Sequence, residues 1–176
     1  MCNYLARTAR ESLTKGTIKF VPPTQLHVTL VFAGDIDVDT ARALEDAITA
    51  ADLAPIELRL DGLGRFPAKG EPRVIWAGLA GSGVEPLHRL QRELADWAGA
   101  AGIEPDDRPF SPHVTLGRVK SAFGAYAVVD ELEKVGETLR DKPFTATALT
   151  LYESELQPGG PIYRPRLRRE LPGVDG

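Results

Sequence analysis

At 176 residues and 43% apolar content the chain fits one packed domain, or two lobes around one cleft. Its 21 Lys and Arg against 25 Asp and Glu give a net charge of -4, which argues against a general nucleic-acid coating protein held by counterion release but allows a small or terminal nucleic-acid substrate gripped locally. The single cysteine, Cys2, excludes an internal disulfide framework, and the absence of a signal-like or membrane-length apolar window makes a cytoplasmic protein the expectation.

In chain order, Met1 to Leu13 reads as helix. After Pro22-Pro23, the run Gln25 to Phe32 alternates strictly and predicts a half-buried strand, with Leu26, Val28, Leu30 and Phe32 toward a core and His27 and Thr29 on the opposite face. Asp37 is placed to cap a helix through about Ala51, since Val38, Ala41, Leu44, Ala47 and Ile48 recur at helical spacing. Strands are expected at about Ile56 to Leu60 and Arg73 to Leu79. A helix from about Val84 to Ala101 gathers Val84, Leu87, Leu90, Leu94 and Trp97 on one stripe, with Gly102 as its stop. A fourth strand follows at His113 to Leu116, then a weaker helical pattern from Asp130 to Leu139 and closing strands at Phe144 to Tyr152 and Ile162 to Leu167. This order implies an α+β fold, with helices on largely antiparallel sheets and a pseudo-duplication about two motifs.

Those motifs are His27-Val28-Thr29-Leu30 and His113-Val114-Thr115-Leu116, about half the chain apart and holding two of the three histidines. Each would present an imidazole and a hydroxyl on one strand face. A single such pair is usually a solvated surface feature; two in matching flanks point to catalysis. An unperturbed imidazole titrates near pH ~6.5, so two of them can serve as concerted base and acid. Threonine hydroxyls can donate to an oxygen gaining negative charge. Two His and two Thr converging on a tetrahedral anion describe a phosphodiester site. Arg118 could add a bidentate donor to a phosphate oxygen, although its odd offset from His113 leaves its direction open. A zinc site would need at least three protein ligands, so neither metal nor cofactor is expected.

Other residues have plainer readings. His88 lies beside Leu87 on a helix as an exposed or boundary residue, and core packing suits Trp76 and Trp97 better than base stacking. Arg164, Arg166, Arg168 and Arg169 form either a solvated strand face or a basic surface that steers an anionic substrate.

The segments Val21 to Gly34 and Arg108 to Arg118 resemble the paired H-x-T-x segments of the two-histidine phosphoesterases, within them the LigT-like RNA 2',3'-cyclic phosphodiesterases, also called 2'-5' RNA ligases. Leu63-Gly64-Arg65-Phe66-Pro67, Pro72 to Gly78 and Leu149 to Ser154 match as well, and the likeness runs from about Lys19 to Arg169. The resemblance implies a single domain of two pseudo-repeated lobes, residues 1–176, with two antiparallel sheets flanked by helices around a central groove. It implies metal-independent opening of a 2',3'-cyclic phosphate at an RNA end to a 2'-phosphomonoester, with 2',5' ligation as a related activity. His27 would then protonate the departing 3'-oxygen, His113 would activate water, and Thr29 and Thr115 would hold the phosphate. The expected partners are RNA ends or small cyclic-phosphate nucleotides, met by a monomer away from membranes. The family also opens with a Phe-x-Ala-Ile strand whose aromatic contacts the base, and the expectation is that this strand is encoded upstream of Met1. Alternatives are another cyclic phosphate, a 2'-5' linked nucleotide, or a non-catalytic module that binds RNA ends.

Overall fold

The structure is a computed structural model describing residues 1–13, 18–104, 106, 108–120, 125–157 and 160–172. The elements are α1 (Cys2–Ser12), β1 (Ile18–Phe20), a 3-10 turn (Pro23–Gln25), α2 (Val38–Ala50), β2 (Ile56–Phe66), β3 (Val74–Ala80), α3 (Val84–Ala100), β4 (His113–Val119), α4 (Ala125–Leu139), β5 (Pro143–Ala146), β6 (Ala148–Gln157) and β7 (Gly160–Glu170). The five-stranded sheet runs β1-β4-β3-β2-β5, and β6 and β7 form a separate antiparallel pair. The α+β class is therefore as expected, with helices against antiparallel sheets.

Two compact units divide the chain. The first comprises Met1–Thr29, Leu58–Val84 and Ser111–Phe144. Its core joins Leu5, Ala9 and Leu13 to Ile75 and Ala77 of β3, Val114 and Leu116 of β4, and Val128, Leu132, Val135 and Leu139 of α4. Within this unit α1 and α4 thus cover one face of the sheet. Gly136 lets α4 come close to the backbone of β2, since a Cβ there would lie 2.7 Å from the Leu63 amide nitrogen. The odd face of β3, with Ile75 and Ala77, is the core face; residues 74, 76 and 78 point the other way.

The second unit comprises Leu30–Glu57, Glu85–Phe110 and Thr145–Gly176. Ile48, Leu53, Leu94, Leu149 and Leu171 form its main core, with Trp97 packed against it. Asp37 caps α2 by accepting from the Thr40 amide at 2.8 Å, as the sequence suggests. Gly102 ends the α3 segment at φ 85°, and the Ile103 amide donates to the Ala98 carbonyl at 2.9 Å.

Two expectations need correction, and one element has no counterpart in the sequence reading. Gln25 to Phe32 is not a strand: it begins in the 3-10 turn and touches the sheet through one antiparallel bridge, Val28 to Val114. Without a ladder beyond that bridge the alternation lapses, leaving Phe32 69% exposed while Val31 and Ala33 pack against the second unit's cores. Phe144 to Tyr152 is two strands, β5 and β6, broken at Thr147. β1 was not foreseen, because three residues are too few to show a period; as a very short edge strand it leaves little unpaired ladder.

Candidate active site

Both H-x-T segments lie in the first unit. β4 supplies His113 and Thr115, with Val114 and Leu116 buried between and after them. The other segment is brought alongside β4 in steps. Ile18 and Phe20 pair with Val119 and Gly117, the Val21 amide donates to the Leu116 carbonyl at 2.8 Å, the Pro22-Pro23 turn makes an excursion, and Val28 returns opposite Val114. Antiparallel register one step either side of that bridge sets Thr29 across from His113 and His27 across from Thr115. Such cross-strand neighbours hold their Cβ atoms about 4.5–5.5 Å apart. With Val28 and Val114 packed into the core, all four polar side chains share the face not covered by α1 and α4.

The two imidazoles are tethered alike. Nδ1 of His27 lies 2.7 Å from the Gln25 carbonyl oxygen, and Nδ1 of His113 lies 2.8 Å from that of Ser111. A carbonyl oxygen only accepts, so each Nδ1 carries the hydrogen and donates it. Nε2 is then the nitrogen left available for proton exchange, without hydrogen in the neutral ring and protonated in the charged one. For His27 the acceptor is a carbonyl at the end of the 3-10 turn, the kind that a helix end leaves without an intrahelical partner.

Arg118 joins this face through an irregularity. Ile75 pairs with Gly117 and Trp76 with Thr115, so Leu116 is an extra residue in β4. Leu116 is buried, and Gly117 is hemmed in by Ile18 and Lys19, so both turn toward the core side. The bulge resets the alternation and pairs Arg118 with Val74, on the face of Trp76, His113 and Thr115. The odd offset that left its direction open in the sequence is thereby made even.

Sequence reasoning missed an aromatic wall beside His113. Gly64 pairs with Trp76 and Phe66 with Val74, which puts Phe66 and Trp76 on the histidine face. The Phe66 ring centroid lies 5.2 Å from that of His113 in an edge-to-face arrangement, and Trp76 lies 5.2 Å from Phe66 and 5.9 Å from His113. A Cβ on Gly64 would fall within the Trp76 indole, so the missing side chain is what lets the ring lie across β2. The core-packing reading therefore fails for Trp76, because its strand neighbours Ile75 and Ala77 take the core face. Its Nε1 is buried with no hydrogen-bond partner among the described residues, a cost of about 1–3 kcal/mol for a neutral donor. Strand parity from β3 to β2 could have found this wall, had the register been known.

The remaining candidates lie elsewhere. Half-buried His88 packs edge-on against Phe110 at 5.1 Å in the second unit, in keeping with a boundary residue, and Trp97 lies in core packing. Each of the four arginines of β7 has a polar partner. Arg164 meets Glu155 at 3.2 Å, Arg166 meets Glu45 at 2.8 Å, and Arg168 meets Glu170 at 2.8 Å. Arg169 donates to the Ile48 carbonyl at 2.7 Å and to that of Ala51, closing the C-terminal end of α2. The solvated-face reading suits Arg164, Arg166 and Arg168, which are exposed; half-buried Arg169, of opposite strand parity, departs from it. Among the described residues there is no cluster of three or more His, Cys, Asp or Glu side chains arranged to hold a metal ion, and no helix long and apolar enough to cross a membrane.

Comparison with known proteins gives a consistent result. The family model described as 2'-5' RNA ligase superfamily matches residues 4–158. The Aeropyrum pernix protein named RNA 2',3'-cyclic phosphodiesterase is 32% identical over 93% of this chain and 93% of its own length. A Methanothermobacter thermautotrophicus protein of the same name is 35% identical over 83% of this chain and 78% of its own. Among solved structures, E. coli LigT complexed with 3'-AMP aligns at a TM-score of 0.75 and 25% identity, covering 97% of this chain and 91% of LigT. A Thermus thermophilus protein aligns at a TM-score of 0.68 and 28% identity, over 99% of this chain and 91% of its own.

Proposed function

This chain belongs to the 2'-5' RNA ligase superfamily, and we propose that it opens 2',3'-cyclic phosphates at RNA ends to 2'-phosphomonoesters by histidine acid–base catalysis. It is an enzyme, an RNA 2',3'-cyclic phosphodiesterase, as its relatives at about one-third identity over most of the chain are named. The observation that carries the mechanism is the Val28–Val114 bridge, which supports a site where two identically tethered imidazoles share one sheet face.

In this mechanism His113 Nε2 takes a proton from water, whose oxygen attacks the cyclic phosphorus. The bond from phosphorus to the 3'-oxygen breaks, and His27 Nε2–H delivers its proton to that oxygen, leaving the phosphate on the 2'-oxygen. Thr29 and Thr115 donate to the non-bridging oxygens as charge builds, and Arg118 adds a fixed cation. A 5'-hydroxyl in place of water loses its proton to His113 and attacks the same phosphorus; the bond to the 3'-oxygen breaks, His27 protonates that oxygen, and a 2',5' linkage results. Acid and base roles follow the family likeness, since the two Nδ1 tethers are equivalent.

The substrates are RNA ends or nucleotides; the complex of LigT with 3'-AMP supports a site of nucleotide size. Alignments over nearly the whole chain support reading both units as parts of one domain. A cytoplasmic monomer is the setting we assign. The test is to incubate the protein with an RNA ending in a 2',3'-cyclic phosphate and identify the phosphate position in the product. A 2'-phosphate is expected; a 3'-phosphate or no turnover would overturn the reading.

A further inference from the structure

We propose that Phe66 is the stacking platform for the terminal nucleobase of the substrate, so that this residue makes the site prefer a nucleoside cyclic phosphate over a cyclic phosphate without a base. The inference rests on the reading of the His/Thr face as the phosphate site.

Phe66 ends β2 on the same face as His113, and its ring stands edge-to-face to the imidazole at 5.2 Å. It is nevertheless 38% exposed, among the few large apolar side chains left open to solvent. Scattered exposed apolar residues need no explanation; this one is held in place. Trp76 backs it at 5.2 Å with the planes only 36° apart, and Trp76 can do so because position 64 has no side chain. The result is a rigid aromatic ledge with an open face adjoining the proton-transfer group. In a nucleoside 2',3'-cyclic phosphate the base is separated from the phosphate by the ribose alone, so a ring beside His113 is within reach of the base when the phosphate is engaged. Every base offers a π-face to such a ring, which makes the recognition tolerant of sequence and stronger for the larger purines.

The experiment compares adenosine 2',3'-cyclic phosphate with the cyclic 2,3-phosphate of 1,4-anhydroerythritol, which keeps the five-membered ring and the cyclic phosphate but has no base. Steady-state constants are measured for the native protein and for Phe66→Leu and Phe66→Tyr, with circular dichroism melts to verify folding. Loss of one base–aromatic stack typically costs about tenfold to a hundredfold. The ratio of kcat/KM for the adenosine substrate to that for the base-free one should fall by at least about tenfold in Phe66→Leu, mostly through KM, and recover in Phe66→Tyr. If Phe66→Leu loses equally on both substrates, the ring only positions His113 and the stacking proposal is overturned. An unchanged ratio with full activity overturns it as well. If the native protein opens neither substrate, the phosphate-site reading itself fails, an outcome distinct from the other two.

Discussion

Val28 and Val114 form a lone antiparallel bridge, and this one pairing sets His27 across from Thr115 and Thr29 across from His113. The arrangement is symmetric about the bridge: each imidazole neighbours the other motif's hydroxyl, and each Nδ1 is held by the carbonyl two residues upstream. Such tethers fix ring orientation and tautomer before any substrate arrives, which is how catalysis draws on preorganised groups rather than on reorganisation during the reaction.

Arg118 tests the bulge in β4. Because the extra residue Leu116 returns Arg118 to the His/Thr face, Arg118→Ala should raise KM for cyclic-phosphate substrates by about tenfold to a hundredfold, the usual range for a charged hydrogen bond. Arg118→Lys should recover only part of this, since an ammonium lacks the planar fork that sets two parallel donors against a phosphate. The check is steady-state kinetics of both variants. An unchanged KM in Arg118→Ala would mean that the guanidinium points away from the phosphate.

Two glycines should respond in opposite ways to the same substitution. Gly64→Ala drives a methyl into the Trp76 indole and displaces the wall that contacts His113, so both melting temperature and kcat should fall. Gly99→Ala, in helix α3 with nothing within 4 Å of the new methyl, should raise stability by about 0.5–1 kcal/mol and leave turnover alone. Thermal melts and initial rates on both variants decide. Tolerance of alanine at 64 would show that the indole has room to move.

Activity should survive exhaustive chelation, because in the proposed mechanism imidazoles move the protons and hydroxyls and a guanidinium meet the charge. The rate should also show a bell-shaped pH dependence, since one ring must be neutral while the other is charged. Rates across pH with and without chelator test both points. Loss of activity in chelator that a divalent ion restores, or a profile with a single limb, would contradict them.

At the start of α2, the Thr40 backbone amide and hydroxyl hold the Asp37 carboxyl below its ordinary range. With the folded value below the unfolded one, the cap contributes stability above the unfolded value, near pH ~4, and loses it as pH falls through the folded value. Asp37→Asn keeps a capping oxygen but cannot titrate, so its melting temperature should decline less steeply from pH 5 to pH 2 than that of the native protein. Parallel slopes would show that this carboxylate plays no part in acid unfolding.

How much of this was legible in the sequence depended on the range of the contacts involved. The His/Thr pairs could be read because alternation is local: His113, Val114, Thr115 and Leu116 partition as their period requires. The helices at Val38–Ala50 and Val84–Ala100 were likewise announced by their stripes, with Asp37 and Gly102 at their limits. The direction of Arg118 was hidden, because a bulge is defined by the partner strand and Ile75 lies some forty residues away in sequence. The Phe66–Trp76 wall was hidden for the same reason: it depends on the register of β2 against β3 and on a glycine whose value is the space it leaves. Phe32 misled because alternation was extended past the single bridge that enforces it. The β7 arginines read as a cation run because Glu45, which pairs with Arg166, lies 121 residues away in sequence, and the Glu155 partner of Arg164 depends on the hairpin register of β6 against β7.

The central claim is that His27 and His113 act in one transition state, and the most direct test is the double-mutant comparison of His27→Ala, His113→Ala and the variant carrying both. On an RNA ending in a 2',3'-cyclic phosphate, each single variant should lose on the order of 100- to 10,000-fold in kcat/KM. Thr29→Ala and Thr115→Ala, each removing one donor, should lose less. The double histidine variant should be scarcely worse than the weaker single one, because groups that work as a unit are not additive. Losses that multiply in the double variant, or a single histidine variant retaining near-native rates, would contradict the paired mechanism.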